Sequence, residues 1–346
     1  KTVPTLSGVG IVSNNPTDTL SIVNDVVTVT FTSSEAIATK VVTFLSGGDP
    51  ITNAGAITYN NTSGNTWTAA YTAHTNDTDG VVTYSIVVGD LAGNPGTAVT
   101  TGSGSVTFDN TAPTLTSASI TSDNSPATHA NPGDVVTVTL AASVAISQPV
   151  VTFKSGGNAV SDGSITYAGS GANWTAAYTA GASDTEGAVS FVIAYSDLAG
   201  NAGTNVTSVT NASSVTFDKT APTLTSASIA SDYSTNTLAS TNDEITVTLT
   251  ASEVITQPTV TFLSGGDPIT NAGAITYNNT SGNTWTAAYT AHTNDTDGAV
   301  SFTISYSDLA GNAGTNVTSV TNASSVTFDK TVPTLSGVGI VSNNPT

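Results

Sequence analysis

Acidic side chains in three recurring motifs are the residues of this chain that could do chemistry. The motifs are Phe-Asp-Lys/Asn-Thr-Ala/Val-Pro-Thr-Leu, Asp-Leu-Ala-Gly-Asn, and a Ser-Glu pair that follows an alternating apolar segment. Their acids are Asp109, Asp218 and Asp329 in the first motif, Asp90, Asp197 and Asp308 in the second, and Glu35 and Glu253 in the third. Carboxylate oxygens are hard ligands of the kind that Ca²⁺ prefers. Calcium binding is therefore the chemistry that these residue types indicate.

The sequence offers little for catalysis. It has no cysteine and only 3 histidines. Of these, His74 and His292 are equivalent by repeat, and the corresponding position between them is Gly181. We find no Ser-His-Asp set, no histidine cluster with metal-ligand spacing and no phosphate-binding loop. We therefore predict that the protein is not an enzyme.

The first motif returns at a fixed spacing and divides the chain. Its prolines, Pro4, Pro113, Pro222 and Pro333, are 109, 109 and 111 residues apart. A period of this size matches one domain, so we predict repeats at 1–110, 111–219 and 220–330. Residues 330–346 are identical to residues 1–17, and 331–346 therefore copy 2–17 and begin a fourth repeat at a larger period of 329 residues. We expect a piece of a longer array.

Each repeat carries segments in which apolar and polar residues alternate. Val27, Val29 and Phe31 share one face of such a segment, and Trp67, Ala69 and Tyr71 share one face of another. About seven strands per repeat, rich in β-branched residues and without helical periodicity, predict an all-β fold. The pattern is typical of immunoglobulin-like Greek-key β-sandwiches arranged end to end as a rod. One tryptophan per repeat (Trp67, Trp174 and Trp285) is expected to fill the core rather than form a sugar-stacking platform.

This fold predicts which acids meet. In such a sandwich, the loop after the second strand and the loop after the sixth strand lie at the pole where the chain enters, and the aspartate of the preceding linker arrives there. Asp218 should therefore meet Glu253 and Asp308, and Asp109 should meet Asp197. Glu35 and Asp90 await a preceding unit, and Asp329 should point at the unit beginning with Thr331. Because Val144 replaces the glutamate in the second repeat, the first junction should bind calcium more weakly.

A second tier of metal candidates lies at the opposite pole. These aspartates precede the second strand or the sixth strand of each repeat: Asp25, Asp134 and Asp243, and Asp77, Asp184 and Asp295. A lone aspartate in a loop is often only a turn former, because its side chain accepts hydrogen bonds from nearby backbone N–H groups. Both interpretations remain open for every acid named here.

The motifs also carry a family resemblance. The segments TASE, TWTAAYT, DGAVSFTISYSDLAGNAG and VTFDKTAPTL resemble the bacterial Ig-like repeats of giant surface adhesins and biofilm-associated proteins. The resemblance covers the whole chain. It implies a structural extender between a cell-surface anchor and a distal binding region, with Ca²⁺ at the domain junctions that stiffens the rod. It also implies an extracellular location on the bacterial cell surface.

Composition restricts the partners. The chain has 5 basic residues against 24 acidic ones, a formal net charge of −19, and only 8% charged residues. Such a surface repels nucleic acid and anionic lipid while attracting divalent cations. No apolar run approaches the length of a membrane-spanning helix. We therefore expect no nucleic acid, no membrane insertion in this segment, and neighbouring repeats as the main partners.

Two other functions stay open at this stage. The repeats could build an extracellular filament or sheath that self-associates through lateral homotypic contacts, which an exposed apolar stripe recurring at 329 residues would favour. One repeat could instead be a ligand-binding module for glycans or ice, which would require atypically long loops in that repeat. The three repeats are alike, and no apolar stripe is evident in their pattern.

Overall fold

Residues 3–52, 54–161, 163–270 and 272–343 are described by a computed structural model. Within these ranges the chain is built of β-strands, with two short 3₁₀ turns at Ala54–Ala56 and Ala272–Ala274 and no α-helix. None of its described helical segments is long and apolar enough to cross a membrane. The strands form three sandwiches, each with its own hydrophobic core.

The first domain contains nine strands in two sheets. One sheet has the order β1-β3-β7-β6 and the other β2-β9-β8-β4-β5. The strands are β1 (Leu6–Ser13), β2 (Leu20–Ser21), β3 (Val26–Ser33), β4 (Ile37–Ser46), β5 (Asp49–Pro50), β6 (Thr58–Ser63), β7 (Thr66–Thr72), β8 (Gly80–Asp90) and β9 (Val106–Phe108). All neighbours are antiparallel except β2 and β9, which run parallel.

The second and third domains repeat this topology. Their sheets have the orders β10-β12-β16-β15 and β11-β18-β17-β13-β14, and then β19-β21-β25-β24 and β20-β27-β26-β22-β23. The second domain comprises β10 (Leu115–Ser122), β11 (His129–Ala130), β12 (Val135–Ala142), β13 (Val150–Ser155), β14 (Asn158–Ala159), β15 (Thr166–Ser170), β16 (Asn173–Thr179), β17 (Gly187–Ala194) and β18 (Thr216–Phe217). The third comprises β19 (Leu224–Ser231), β20 (Leu238–Ala239), β21 (Glu244–Ala251), β22 (Thr259–Ser264), β23 (Asp267–Pro268), β24 (Thr276–Ser281), β25 (Thr284–Thr290), β26 (Gly298–Ser305) and β27 (Thr327–Phe328).

Alternating residues make these strands and fill the space between the sheets. In β3, every second side chain is buried, and Val27, Val29 and Phe31 are fully inaccessible. The facing sheet contributes Phe44, whose ring lies 4.8 Å from that of Tyr71, centroid to centroid. Burying such apolar side chains contributes roughly 2 kcal/mol each. The predicted all-β, tandem Ig-like sandwich architecture is confirmed by this strand order.

Two details differ from the sequence-based expectation. Each domain has nine strands rather than about seven, because two-residue strands such as β2 and β5 are too short to show an alternating pattern. The tryptophans do not fill the core. Trp67, Trp174 and Trp285 face inward but lie near the end of the sandwich, where they pack against the core while remaining partly exposed.

The two poles of each domain position the acidic motifs. We call the pole that receives the linker the leading pole; in the third domain it carries the β21–β22 loop and the loop after β26. We call the pole from which the chain leaves the trailing pole; in the second domain it carries the end of β18 and the loop before β17. Residues 331–343 follow the third domain, form no strand, and expose Leu335, Val338 and Ile340.

Candidate metal centre at a domain junction

The linker aspartate is fixed by the strand that precedes it. Phe217 at the end of β18 is fully buried, and the next backbone N–H, that of Asp218, donates to Ala130 O at 2.9 Å. Asp218 Oδ1 accepts from Thr220 N at 2.9 Å, which closes a turn into the Thr-Ala-Pro step. Asp109 and Asp329 make the equivalent bonds to Thr111 N and Thr331 N. The linker therefore leaves each domain in one defined direction.

The Asp-Leu-Ala-Gly-Asn loop is organised around its own aspartate. Asp308 is 2% exposed, and its Oδ1 accepts from Asn312 N at 2.9 Å while its Oδ2 accepts from Asn312 Nδ2 at 2.8 Å. Asp197 and Asp90 are bonded in the same way to Asn201 and Asn94. The aspartate therefore shapes the loop as a turn former and presents a carboxylate at the leading pole.

Three carboxylates meet between the second and third domains. Asp218 comes from the linker, Glu253 from the β21–β22 loop and Asp308 from the loop after β26. One ligand oxygen from each lies within 4.8 Å of the others. In the part of the chain that the structure describes, no other group of three acidic, histidine or cysteine side chains meets this geometry. The three side chains expected to converge at this junction do lie together.

Negative charge is concentrated at this point. Burial, followed by the charges of Asp218 and Asp308, raises the pKa of Glu253 above its ordinary value. Burial also raises the pKa of Asp218, and the charge of Asp308 adds to this effect. Neighbouring like charges disfavour the ionised form of each carboxyl group. A cation bound among them would remove this repulsion.

A pocket of about 270 Å³ opens beside the three acids. It is lined by both domains, with His129 of β11 on one side and Val254, Leu309 and Ala310 on the other. The hydroxyl of Thr128 and Nδ1 of His129 are 3.0 Å apart. The acids therefore lie at the wall of a space between two domains that is large enough for an ion and its water ligands.

Glu186 is a fourth acid at this junction that the sequence analysis missed. Its Oε1 accepts from Lys219 N at 3.0 Å and from Thr220 Oγ1 at 2.6 Å. The hydroxyl of Thr220 and the backbone N–H of Lys219 lower its pKa. Its charge also raises the pKa of Asp218 and Glu253. Asp79 and Asp297 hold their own linkers through equivalent bonds.

The signal for Glu186 was present in the sequence. The loop reads Asp-Thr-Asp/Glu-Gly in all three repeats, and its second acid recurs as regularly as its first. The second tier of predicted metal ligands contained the first acid of each of these loops, and those side chains face into their own domain. Asp77, Asp184 and Asp295 each accept two backbone N–H bonds, for example Asp295 from Thr270 N at 2.7 Å and from His292 N at 2.8 Å. These bonds hold the loop closed.

The other second-tier aspartates also serve turns. Oδ2 of Asp25, Asp134 and Asp243 accepts from the backbone N–H of Ile22, Asn131 and Ser240, respectively. Asp25 Oδ2 accepts in addition from Asn15 Nδ2 at 2.8 Å. These three aspartates lie at the trailing poles. Asn15, which is bonded to Asp25, also donates to a backbone oxygen of the next domain.

The first junction differs from the second in its acids. Asp109 and Asp197 are present, but the position of Glu253 is taken by Val144, which is 48% exposed. Asn201 Nδ2 donates to Asp109 O at 2.9 Å across the junction. The described residues of this junction contain no three-acid group of the kind found at the second.

The remaining predicted ligands belong to poles without a neighbour in the described chain. Glu35 is partly buried at the leading pole of the first domain. Asp90, in the Asp-Leu-Ala-Gly-Asn loop of the same domain, is 7% exposed. Asp329 is exposed at the trailing pole of the third domain. The described residues include neither a unit before Glu35 and Asp90 nor a folded unit after Asp329, so the junctions expected for these acids stay predictions.

Solved structures that match the chain include tandem Ig domains, with low sequence identity and low TM-scores. A fragment of titin, I67–I69, is 11% identical over 95% of this chain and 99% of its own, with a TM-score of 0.35. Titin domains A168–A170 are 14% identical over 93% and 99%, with a TM-score of 0.31. The eight N-terminal Ig domains of DSCAM are 12% identical over 91% of this chain and 42% of theirs, with a TM-score of 0.26.

No protein-family model matches the chain, and no curated protein matches it either. The Ig-like assignment therefore rests on the strand order of the three sandwiches. The resemblance to bacterial adhesin repeats stays a prediction.

Proposed function

We propose that this chain is an extender segment of a long bacterial surface adhesin, in which Ca²⁺ holds successive Ig-like domains in a fixed orientation. The observation that supports the proposal is the convergence of Asp218, Glu253 and Asp308 across a linker. One of these acids belongs to the linker that leaves the second domain and two belong to the third. An ion bound by all three would connect the domains directly.

The chemistry of the donor set fits calcium. Ca²⁺ takes six to eight oxygen ligands in a flexible geometry and accepts carboxylates, carbonyls and waters. The three carboxylates would supply the charge, and the adjoining pocket would admit water. Asp308 is already oriented by Asn312, and Asp218 by the turn to Thr220. Binding would therefore require little ordering beyond the side chain of Glu253.

The mechanism is mechanical rather than catalytic. A rod of domains extends a distal binding region only if its junctions resist bending, since a flexible linker lets the domains fold back on one another. Calcium at the junction would neutralise carboxylates that otherwise repel each other across the hinge. Extracellular fluid supplies this ion at millimolar concentration, which suits a location on the bacterial cell surface. The neighbouring repeats are then the chain's principal partners.

Small-angle X-ray scattering and isothermal titration calorimetry on the whole chain test this proposal. We expect a longer and narrower distribution of interatomic distances in millimolar Ca²⁺ than in EGTA, together with saturable heat of binding. Glu253→Val, which copies the residue found at the first junction, should weaken both effects. Glu244→Gln is the matched control because it removes one charge from the exposed start of β21, outside the three-acid group. Identical scattering with and without calcium would refute the proposal.

The filament alternative is not favoured by one outward strand position, which varies among the described domains. This position is Val41 in β4, Val150 in β13 and Thr259 in β22, and only the two valines are exposed large apolar residues. A stripe that changes from domain to domain does not favour regular lateral packing. A rise in molecular mass in the scattering experiment would favour the filament instead.

A further inference from the structure

An asparagine side chain crosses the first junction from the trailing pole of the first domain. Asn15 is 7% exposed, and its Nδ2 donates to Ala199 O of the second domain at 2.9 Å and to Asp25 Oδ2 at 2.8 Å. Its Oδ1 accepts from Thr17 N at 3.0 Å. Both donors and the acceptor are therefore used, and the side chain is held from three directions at a buried contact.

A second asparagine crosses the same junction in the opposite direction. Asn201 Nδ2 donates to Asp109 O at 2.9 Å and to Asp197 Oδ2 at 2.9 Å. The loop that contains both Ala199 and Asn201 is thus tied to the first domain and to its linker. Ala199 is 4% exposed, whereas its counterpart Ala92, which packs against no other domain among the described residues, is exposed. The contact therefore buries the loop as well as bonding it.

The second junction has two bonds of the same kind, but the first goes to a different loop position, because Leu309 is the counterpart of Leu198 and not of Ala199. Asn124 Nδ2 donates to Leu309 O at 3.0 Å, and Asn312 Nδ2 donates to Asp218 O at 3.0 Å. Asn124 is only partly buried, and among the described residues its side chain makes no bond to Asp134 like the one that Asn15 makes to Asp25. These bonds must also act against the mutual repulsion of Asp218, Glu253, Asp308 and Glu186.

We infer that the two junctions respond differently to cations: the Asn15–Asn201 contact holds the first junction without a bound ion, and only the second junction requires one. Val144 removes the third carboxylate from the first junction, so little repulsion opposes the two asparagines there. At the second junction the charge outweighs the bonds until a cation neutralises it. For the second junction, this inference rests on the calcium site proposed above. Asn15 and Asn201 act as positioning residues.

The consequence is a rod with unequal joints. Residues 330–346 restart the sequence of residues 1–17, so in an array with this 329-residue period each period would contain one junction of the first kind. Loss of calcium would then loosen particular junctions while domain pairs of the first kind stay aligned. Without calcium, the two domains on either side of a junction of the first kind would move as one unit, and the chain would bend at the other junctions.

Distance measurements at each junction separately test this inference. The chain has no cysteine, so introduced pairs can be spin-labelled without background. Ser63, Ser170 and Ser281 are exposed and close equivalent hairpins in the three domains. Ser63→Cys with Ser170→Cys reports on the first junction, and Ser170→Cys with Ser281→Cys reports on the second. Double electron–electron resonance gives the width of each distance distribution in Ca²⁺ and in EGTA.

We expect EGTA to broaden the distribution at the second junction and to leave that at the first unchanged. Reciprocal variants then exchange the behaviour: Val144→Glu should make the first junction respond to calcium, and Glu253→Val should suppress the response of the second. Asn15→Ala should broaden the first distribution equally in Ca²⁺ and EGTA. A cation-dependent first junction, or a narrow first junction in Asn15→Ala, would overturn the inference while leaving the proposed function standing. A second junction that ignores calcium would instead remove the proposed function.

Discussion

A carboxylate in a turn has two oxygens, and their partners decide whether it only closes the turn or also acts beyond it. Both oxygens of Asp295 accept backbone N–H groups within its own domain. Two residues later, Asp297 binds the backbone and hydroxyl of the linker residues Lys330 and Thr331. Neighbouring acids of one loop thus do different work, the first fixing the loop and the second fixing the direction in which the linker leaves.

The raised pKa values of Asp218 and Glu253 make the second junction sensitive to pH. A carboxyl group whose pKa is higher in the folded chain binds more protons there than in the unfolded chain. The native arrangement is therefore favoured on acidification and loses this contribution as the pH rises through the raised pKa. Protonation replaces the repelling charges by neutral groups.

We accordingly predict that acid partly substitutes for calcium at the second junction. In EGTA, lowering the pH from neutral to about 4.5, near the ordinary glutamate pKa, should narrow the distance distribution between labels at Ser170 and Ser281. Glu253→Val should lose most of the pH response. A distribution that broadens on acidification would contradict the assignment of repelling carboxylates at this junction.

At the scale of strands and turns, the two glycines of the β22–β23 hairpin differ in how closely they approach the loop that holds the linker. Gly265 has a φ of +59°, and a Cβ there would lie 2.6 Å from Asp297 O, in the loop whose side chain holds Thr331. Gly266 has a φ of +94°, but a Cβ there would meet nothing within 4 Å. Both glycines have left-handed backbone conformations, but only Gly265 lies close to the backbone of another loop.

This pair makes a matched test of the contact. Gly266→Ala should lower the free energy of unfolding by about 1 kcal/mol through backbone strain alone. Gly265→Ala should cost more, about 2 kcal/mol or greater, because the strain is joined by a clash with backbone. Urea denaturation of each variant measures the difference. Equal losses at the two positions would show that the loop carrying Asp297 yields readily and does not hold the linker firmly.

How far the sequence could predict these elements depends on length and on partners. Alternation over eight residues identifies β3, whereas β2 and β5 are set by the neighbours they pair with and leave no pattern. Residues 6–13 and 335–342 have the same sequence, yet the first segment is β1, paired with β3, and the second forms no strand. Pairing, rather than local propensity, makes the strand.

The candidate site was partly predictable for a related reason. Topology alone places the linker aspartate, the loop after the second strand and the loop after the sixth at one pole, so Asp218, Glu253 and Asp308 could be grouped in advance. The position of Glu186 depends on which side of its loop faces the linker, and the depth of each tryptophan depends on where its strand (β7, β16 or β25) begins in the sandwich. Neither follows from residue spacing.

For the whole molecule, the central question is whether cations act at a site or only screen a chain of net charge −19. With 5 basic residues against 24 acidic ones, any salt reduces repulsion between domains. Screening acts over a Debye length of about 8 Å at physiological ionic strength. The oxygens of Asp218, Glu253 and Asp308 lie within 4.8 Å of one another, a separation over which mobile ions screen poorly.

The two modes therefore predict different responses at constant ionic strength. We expect millimolar CaCl₂ to lengthen and narrow the scattering profile of the chain when NaCl is reduced to compensate, and we expect added NaCl in EGTA to reproduce only a small part of this change. MgCl₂ at the same concentration is the control for divalent charge, since Mg²⁺ holds its waters tightly and requires nearly octahedral geometry. Magnesium should act more weakly than calcium if an ion is coordinated by the three carboxylates. Equal effects of calcium and magnesium, or a full effect of NaCl, would mean that the rod is stiffened by general screening of its charge and that the junction carboxylates coordinate no ion.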